Sequence, residues 1–169
     1  MASTNSLDWI REHLRHVGDE VLEVGCGTGG NLAMLSAFGT LDALEYNDAA
    51  RVLAQQRSSI AVKPCALPDD VSQAGGPYDL IALLDVLEHV EEDVESIRTL
   101  SRLLSPEGRL IVTVPALPSL WSRHDELHHH KRRYSKRSLR DALERAGMRV
   151  EYISYFNLLL LPLAIVHRL

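Results

Sequence analysis

The chain has 169 residues, 46% hydrophobic and 24% charged, with a formal net charge of -5 at pH 7 and a pI near 5.9. This length suits one substantial core and argues against two, so we predict a single domain over residues 1–169. Residues 1–10 lack the basic flank and apolar core of a secretory signal, and no stretch is apolar for long enough to span a bilayer, so we expect a cytoplasmic protein. The two cysteines, Cys26 and Cys65, lack metal-ligand spacing and fit a reducing compartment.

Strand-like and helix-like periodicities alternate along the chain, which predicts an α/β fold of parallel strands joined by crossover helices. The expected helix after the long loop starts at Ser135, a residue type that caps helices. In chain order the predicted elements are helix 7–16, strand 20–24, helix 31–38, strand 41–45, helix 48–57, strand 60–65, strand 78–85, helix 93–104, strand 109–115, loop 116–134, helix 135–147 and strand 148–154.

Residues 21–31, VLEVGCGTGGN, run from an apolar strand into a glycine-rich turn. Glycines let backbone amides approach a nucleotide-like ligand with no Cβ in the way. Gly25, Gly27 and Gly30 satisfy the dinucleotide pattern G-x-G-x-x-G. Glu23 precedes the first glycine by two residues, where its carboxylate can meet a cationic amino-acid moiety that a dinucleotide lacks. This favours S-adenosylmethionine (SAM) over a nicotinamide cofactor.

Four successive predicted strands are closed or followed by Glu23, Glu45, Leu67 and Asp85. In an open parallel sheet the ligand crevice lies at the carboxyl ends of the strands, so one crevice can collect all four residues. Glu45 stands about twenty residues beyond Gly25, a spacing at which a carboxylate reaches ribose hydroxyls. Either cofactor can use that carboxylate.

The string E-x-G-x-G-x-G resembles the first motif of class I SAM-dependent methyltransferases. The further segments ALPDD, YDLIALLDVLEHVEED, LWSRHDE and HKRRY resemble a bacterial family related to the type 11 and UbiG-like groups, and the resemblance covers nearly the whole chain. It implies a Rossmann-like three-layer sandwich with a mostly parallel sheet, and SAM as the cofactor. The cofactor contacts that it implies are Glu23, Gly25, Gly27 and Gly29 at the methionine end, Glu45 at the ribose, Tyr46 and Leu67 at the adenine, and Asp85 with Val86 beside the sulfonium. Cys26, Asn31 and Ala66 complete the predicted set.

Two departures from this family are visible. Many class I enzymes carry a Gly-Asp pair after strand three, whereas this chain reads Pro64, Cys65, Ala66, so we expect backbone groups of residues 65–67 to serve the adenine instead. The family's last antiparallel strand is also expected to be missing, which would leave a sheet edge open to pairing. Whether residue 169 is a natural or a truncated end is left open.

The C-terminal segment, residues 155–169, is strongly apolar but too short to span a bilayer. Three roles are open for it: packing on the sheet of its own chain, a homodimer contact, or contact with a membrane surface or a lipid substrate.

Residues 116–134 form the predicted acceptor-side loop, called the acceptor loop below. Methyl transfer to an OH or NH group needs in-line placement and a base for the proton, and histidine is suited to that role near neutral pH. The candidate bases are His89, His124 and His130. The histidine spacing gives little support for a metal, so no metal site is expected.

Residues 123–149 carry nine Lys or Arg and four Asp or Glu, a local charge of +5 that leaves -10 for the rest of the chain. Guanidinium groups bind phosphate or carboxylate, so Arg132 and Arg133 with Tyr134 are candidates for gripping an anionic acceptor. A solvated helix face is the alternative, and nucleic acid is not expected because the patch lacks interleaved aromatic residues. The remaining candidate acceptor contacts are Trp121 and Asp125.

These features together predict a SAM-dependent methyltransferase acting on a small-molecule or lipid-linked acceptor, with oxygen the expected acceptor atom and nitrogen and carbon open. Two alternatives remain at this point: a SAM-binding module without catalysis, and a nicotinamide-dependent oxidoreductase.

Overall fold

A computed structural model describes residues 18–156. The predicted helix 7–16 and residues 157–169 of the apolar C-terminal segment lie outside the described residues. The strands in the described range are β1 (Glu20–Val24), β2 (Thr40–Glu45), β3 (Val62–Pro64), β4 (Tyr78–Leu84) and β5 (Leu104–Thr113). The helices there are α1 (Leu32–Leu35), α2 (Asp48–Arg57), α3 (Asp93–Ser101), α4 (Arg123–Leu127) and α5 (Lys136–Arg145), with 3-10 turns at Leu87–His89 and Pro118–Leu120.

The five strands form one parallel sheet in the order β3-β2-β1-β4-β5. The winding reverses between β1 and β4, which pair directly through Val21 with Leu80 and Glu23 with Ala82. A crevice at the carboxyl ends of these strands is the expected ligand position in such a sheet. The α/β prediction is therefore confirmed, and the glycine loop lies at the reversal.

Helices cover both faces of the sheet, as the near-continuous apolar run of β4 requires. On one face, Leu22 and Ile81 are fully buried in a cluster with Leu100 of α3. On the other face, Val21 and Leu80 pack with Leu35 of α1. These three layers hold β1 and β4 rigidly and so fix the positions of the residues that follow them.

The predicted boundaries of β1 and α2 are confirmed, and Ser135 caps α5 by accepting a hydrogen bond from Ser138 N at 3.0 Å. The helix predicted at 31–38 is shorter, because α1 ends at Leu35. Strand β5 starts at Leu104 rather than at residue 109, with a register shift where it pairs with Tyr78 and Leu80.

The predicted strand 148–154 is wrong. Residues 148–156 form neither helix nor strand. Instead, Ile153 packs on the cluster that contains Leu139 of α5, and Glu151 lies 3.7 Å from Arg109. The alternating pattern correctly marks residues that are covered on one side, but side-chain packing rather than a strand ladder covers them.

Candidate active site

The glycine loop is shaped by its backbone. Gly25 has a φ of +76°, and a Cβ at this position would lie 2.5 Å from Cγ2 of Val86. The amides of Gly25 and Cys26 both donate to the carbonyl of Leu44, at 2.8 and 3.1 Å. A side chain at position 25 would therefore meet both an unfavourable φ and a buried neighbour.

Glu45 links this loop to the start of α2. Its carboxylate accepts hydrogen bonds from Gly27 N at 2.8 Å and from Asn47 N at 2.7 Å. Each carboxylate oxygen retains acceptor capacity, so Glu45 can also accept from ribose hydroxyls. Gly27 has a φ of +54° and its missing Cβ would point into open space, which leaves a cradle for a ligand beside the carboxylate.

Glu23 is the least satisfied group of the cradle. Its side chain is only 1% exposed, Oε1 accepts from Asn31 Nδ2 at 3.2 Å, and Oε2 has no hydrogen-bond partner among the described residues. Burial raises the pKa of Glu23 above its ordinary value, although the Asn31 hydrogen bond opposes the shift. A buried carboxylate oxygen without a partner is costly, and the ammonium group of SAM would complete its coordination. The residues present therefore fit SAM, whereas nothing in a dinucleotide supplies that cation.

This carboxylate predicts a pH dependence of cofactor binding. Protonation of Glu23 removes the charge that attracts the ammonium, so affinity should be full at high pH and fall as pH decreases through the raised pKa of Glu23. Calorimetric titrations with S-adenosylhomocysteine (SAH) from about pH 8 down to pH 4.5, the ordinary pKa of a glutamate, would measure this decline. Affinity that is constant over the range would contradict the assignment of Glu23.

The predicted adenine side has an open pocket lined by Tyr46, Asn47, Asp48 and Ala49. Tyr46 is 74% exposed and is free to stack on a flat ring. The backbone of Ala66 is less available than predicted, because its N–H donates to Asp70 O at 2.8 Å and its carbonyl accepts from Asp70 N at 2.6 Å.

The remaining predicted residues beside the loop have structural roles. Leu67 packs against the core cluster, and Asn31 is the N-cap residue of α1. Both cysteines are buried, and burial raises the pKa of Cys26 to about 12 and that of Cys65 to about 11, so neither is suited to act as a nucleophile.

Asp85 and Val86 directly follow β4, and Val86 lies against Gly25 of the glycine loop. Asp85 has a φ of +57°, which is uncommon for a residue other than glycine. Thr113 holds it there, since Asp85 N donates to the Thr113 carbonyl at 3.1 Å and Thr113 Oγ1 donates to Asp85 Oδ1 at 3.2 Å. This bend carries the chain from Val86, which touches the glycine loop, directly into the Leu87–His89 turn.

A cluster of Glu88, His89 and His130, here called the imidazole cluster, follows that bend. The rings of His89 and His130 meet edge to face with centroids 4.7 Å apart, and one carboxylate or ring atom from each of the three residues lies within 4.8 Å of the others. Glu88 is 1% exposed, its Oε2 has no partner among the described residues, and burial raises its pKa to about 7. Burial, followed by the neighbouring His130 and His128, lowers the pKa of His89. A carboxyl group that exchanges its proton near neutral pH therefore lies two residues beyond Val86, the residue that touches the glycine loop. Two imidazoles and a carboxylate at this spacing can also share a divalent cation, so the spacing argument against a metal does not extend to this cluster.

Two of the three predicted bases meet in this cluster, and the third lies outside it. His124 is exposed on α4, and its ring lies 4.3 Å from that of His128, whose centroid is 6.0 Å from His130. His124 and His128 are four residues apart at the end of α4, which is an H-x-x-x-H spacing, so the histidine spacing argues less strongly against a metal than predicted.

Asp125 is fully buried rather than facing an acceptor. Its Oδ1 accepts from Arg133 Nε at 2.7 Å and from His130 Nδ1 at 3.0 Å, and its Oδ2 accepts from Ser122 N at 2.9 Å. Burial opposes ionisation, but the hydrogen bonds from Arg133 and His130 prevail and lower the pKa of Asp125 to about 2. Arg133 also donates to the Ala116 carbonyl at 2.9 Å. Asp125 and Arg133 thus hold the loop together from inside.

Arg132 and Tyr134, which were also predicted to bind an anionic acceptor, contact other groups of this chain instead. Arg132 lies 3.1 Å from Asp93 and donates to the Glu91 carbonyl at 2.8 Å. Tyr134 is 3% exposed and its hydroxyl donates to Asp93 at 2.9 Å. Trp121, at 41% exposure, is the predicted acceptor contact that presents the most surface.

Known proteins resemble this chain in sequence and in fold. A family model described as a methyltransferase domain matches residues 6–153. The chain is 33% identical over 101 residues to the ubiquinone biosynthesis O-methyltransferase of Caulobacter sp. (strain K31), covering 56% of this chain and 40% of that protein. It is 31% identical over 111 residues to the enzyme of the same name from Azotobacter vinelandii, covering 62% and 47%. The chain thus spans less than half the length of these curated relatives.

Solved structures of similar fold include an S-adenosylmethionine dependent methyltransferase from Mesorhizobium loti, with a TM-score of 0.72, 18% identity, and coverage of 95% of this chain and 92% of that one. The magnesium protoporphyrin IX methyltransferase from Synechocystis, solved with bound SAH, has a TM-score of 0.62 and 21% identity, with coverage of 84% and 69%. These similarities concern the fold. The family model covers most of the chain, and the chain therefore belongs to the methyltransferase domain family.

Proposed function

We propose that this chain transfers a methyl group from SAM to an oxygen atom of a small-molecule or lipid-linked acceptor. The observation that carries the proposal is the buried Glu23 carboxylate beside the glycine cradle, whose Oε2 has no hydrogen-bond partner within residues 18–156. Glu23 and Glu45 would hold the ammonium and the ribose, and Tyr46 would lie against the adenine. The names of the curated relatives, which are O-methyltransferases, support oxygen as the acceptor atom.

SAM supplies a methyl group already activated on a sulfonium, so the protein has to position the acceptor and remove its proton. We propose the imidazole cluster for the second task, because His89 N donates to the Val86 carbonyl at 2.9 Å and the His89 ring meets that of His130. His124 is a less direct candidate, since His128 separates it from the cluster. The exposed apolar side chains Trp121 and Leu127, at 41% and 67%, favour an acceptor with an apolar body.

The proposal extends to where the protein acts and what its C-terminal segment contacts. Among residues 18–156, no helix is both long enough and apolar enough to cross a membrane. A cytoplasmic protein whose residues 155–169 contact a membrane surface or a second copy is compatible with this finding and with the sequence. Lipid vesicle sedimentation and the solution mass of the full chain would test the two contacts.

An acceptor screen tests the proposal. The full chain would be incubated with SAM and a panel of phenols, glycolipids and polyprenyl phenols, and SAH formation would be measured by mass spectrometry. We expect acceptor-dependent SAH formation that is lost in Glu23→Gln. Binding of SAH with no turnover on any acceptor class would favour a binding module without catalysis, and stabilisation by NAD instead of SAM would favour an oxidoreductase.

A further inference from the structure

The acceptor loop is fastened to the sheet domain by backbone contacts at defined points. Tyr134 N donates to the Pro115 carbonyl at 2.9 Å, which closes the loop at its two ends. Lys131 N donates to the Glu88 carbonyl at 2.7 Å, which ties the residue after His130 to the turn that follows β4. His130 therefore has a fixed position, with 11% of its side chain exposed.

The protonation of Asp125 determines what His130 can do. Arg133, His130 and Ser122 all approach the Asp125 carboxylate as donors, and together they keep it ionised at neutral pH. An ionised carboxylate accepts hydrogen bonds and cannot donate one. The contact of 3.0 Å between His130 Nδ1 and Asp125 Oδ1 therefore requires the imidazole proton on Nδ1.

We infer that Asp125 fixes neutral His130 in its Nδ1–H tautomer, so that Nε2 of His130 is the atom that takes the proton from the acceptor hydroxyl. This role for Nε2 rests on the proposed methyl transfer, whereas the tautomer does not. The acceptor O–H bond breaks, its proton moves to Nε2, and its oxygen electrons form the new bond to carbon. Asp125 stabilises the resulting imidazolium, the same division of work as in serine hydrolase triads. His130 is the catalytic residue in this account, and Asp125 and Arg133 are positioning residues.

The groups around His130 support this assignment over its neighbours. His89 and His124 are exposed, whereas only 11% of the His130 side chain is exposed and its ring contacts the buried Asp125 carboxylate. The other groups that face His130 are Glu88 and His128, and Glu88 offers a buried carboxylate oxygen without a partner among the described residues. After the transfer the proton on His130 can pass to Glu88 through one water, because a Glu88 carboxylate oxygen and a His130 ring nitrogen lie within 4.8 Å of each other.

Imidazole nitrogen chemical shifts measured by NMR test the tautomer directly. The full chain, labelled with 15N-histidine and kept in chelator at about pH 8.5, about two units above the ordinary imidazole pKa, would be examined without SAM or acceptor. We expect Nδ1–H for His130, and the Nε2–H form that an unconstrained imidazole prefers for the exposed His129, which serves as the internal control. An Nε2–H signal for His130, or a ring still doubly protonated at that pH, would overturn the inference.

The variant Asp125→Ala, which removes the acceptor from His130 Nδ1, adds a second readout. We expect His130 to shift toward Nε2–H while SAH affinity changes by less than about twofold, because the cofactor cradle is untouched. Once an acceptor is known, kcat should fall by about 10²-fold or more with little change in KM. An unchanged tautomer in a folded variant would contradict the role of Asp125. If the variant does not fold, the wild-type spectrum still decides the question, and that spectrum is independent of whether methyl transfer occurs.

Discussion

Replacing Glu23 with glutamine is expected to weaken binding of SAM and SAH by about a hundredfold, or about 3 kcal/mol. The reason is that the glutamine keeps the shape and the Asn31 contact but removes the charge that the ligand ammonium needs at Oε2. A hydrogen bond between charged groups is stronger than one between neutral groups, so replacing the carboxylate with a neutral amide should have a large effect. Calorimetric titration with SAH would measure the loss.

The same variant should not lose stability. In the free protein the Glu23 carboxylate is buried with one oxygen lacking a partner among the described residues, and its raised pKa shows that folding disfavours its charge. We therefore expect Glu23→Gln to melt at the wild-type temperature or above it. Glu20→Gln is the matched control, because Glu20 is exposed at the start of the same strand and should affect neither property. Unfolding of Glu23→Gln, or unchanged SAH affinity, would contradict the assignment.

The second large effect is on stability. Replacing Arg133 with methionine leaves the fully buried Asp125 without its guanidinium partner, which is expected to cost about 3–5 kcal/mol. Arg132→Met is the matched control, because Arg132 is 29% exposed and its ion pairs are partly solvated, so its loss should cost less than about 1 kcal/mol. Urea unfolding of the two variants would measure the difference, and equal costs would contradict the structure of the loop.

The pH dependence of that stability follows from the same contact. The pKa of Asp125 is lowered to about 2 from its ordinary value of 3.8, so the stabilisation is complete above the ordinary pKa and is lost as pH falls toward 2. The difference between wild type and Arg133→Met should therefore be constant near neutral pH and should shrink in this acidic range.

The sequence predicts which cofactor-side candidates lie together, because the signals for them are local. Glu23 and the glycines lie within a few residues of each other, and the parallel sheet brings Glu45 and Asp85 to the same edge as β1. Their position at this edge depends only on the order of strands and helices along the chain. The missing hydrogen-bond partner of Glu23 Oε2, by contrast, depends on the packing around β1 and has no sequence signature.

The acceptor side was predicted less well because its contacts depend on how the loop folds. Asp125, Arg133 and Tyr134 were candidates for acceptor binding, but the turn after α4 brings Arg133 back onto Asp125, and Tyr134 reaches Asp93 on α3. A buried ion pair and an exposed basic patch can contain the same residue types, so composition alone does not distinguish them. Glu88 was missed, although a glutamate one residue before a candidate base was a usable signal. The wrong strand at 148–154 has a related cause, since an alternating pattern does not distinguish ladder pairing from packing by Ile153.

The most direct test of the whole account is a calorimetric titration of the full chain, in chelator, with SAH, SAM and NAD, alongside Glu23→Gln and Glu20→Gln. The account predicts micromolar binding of SAH and SAM to the wild type and to Glu20→Gln, a loss of about a hundredfold in Glu23→Gln, and no binding of NAD. Binding of NAD, or failure of the folded wild-type chain to bind SAH, would contradict it.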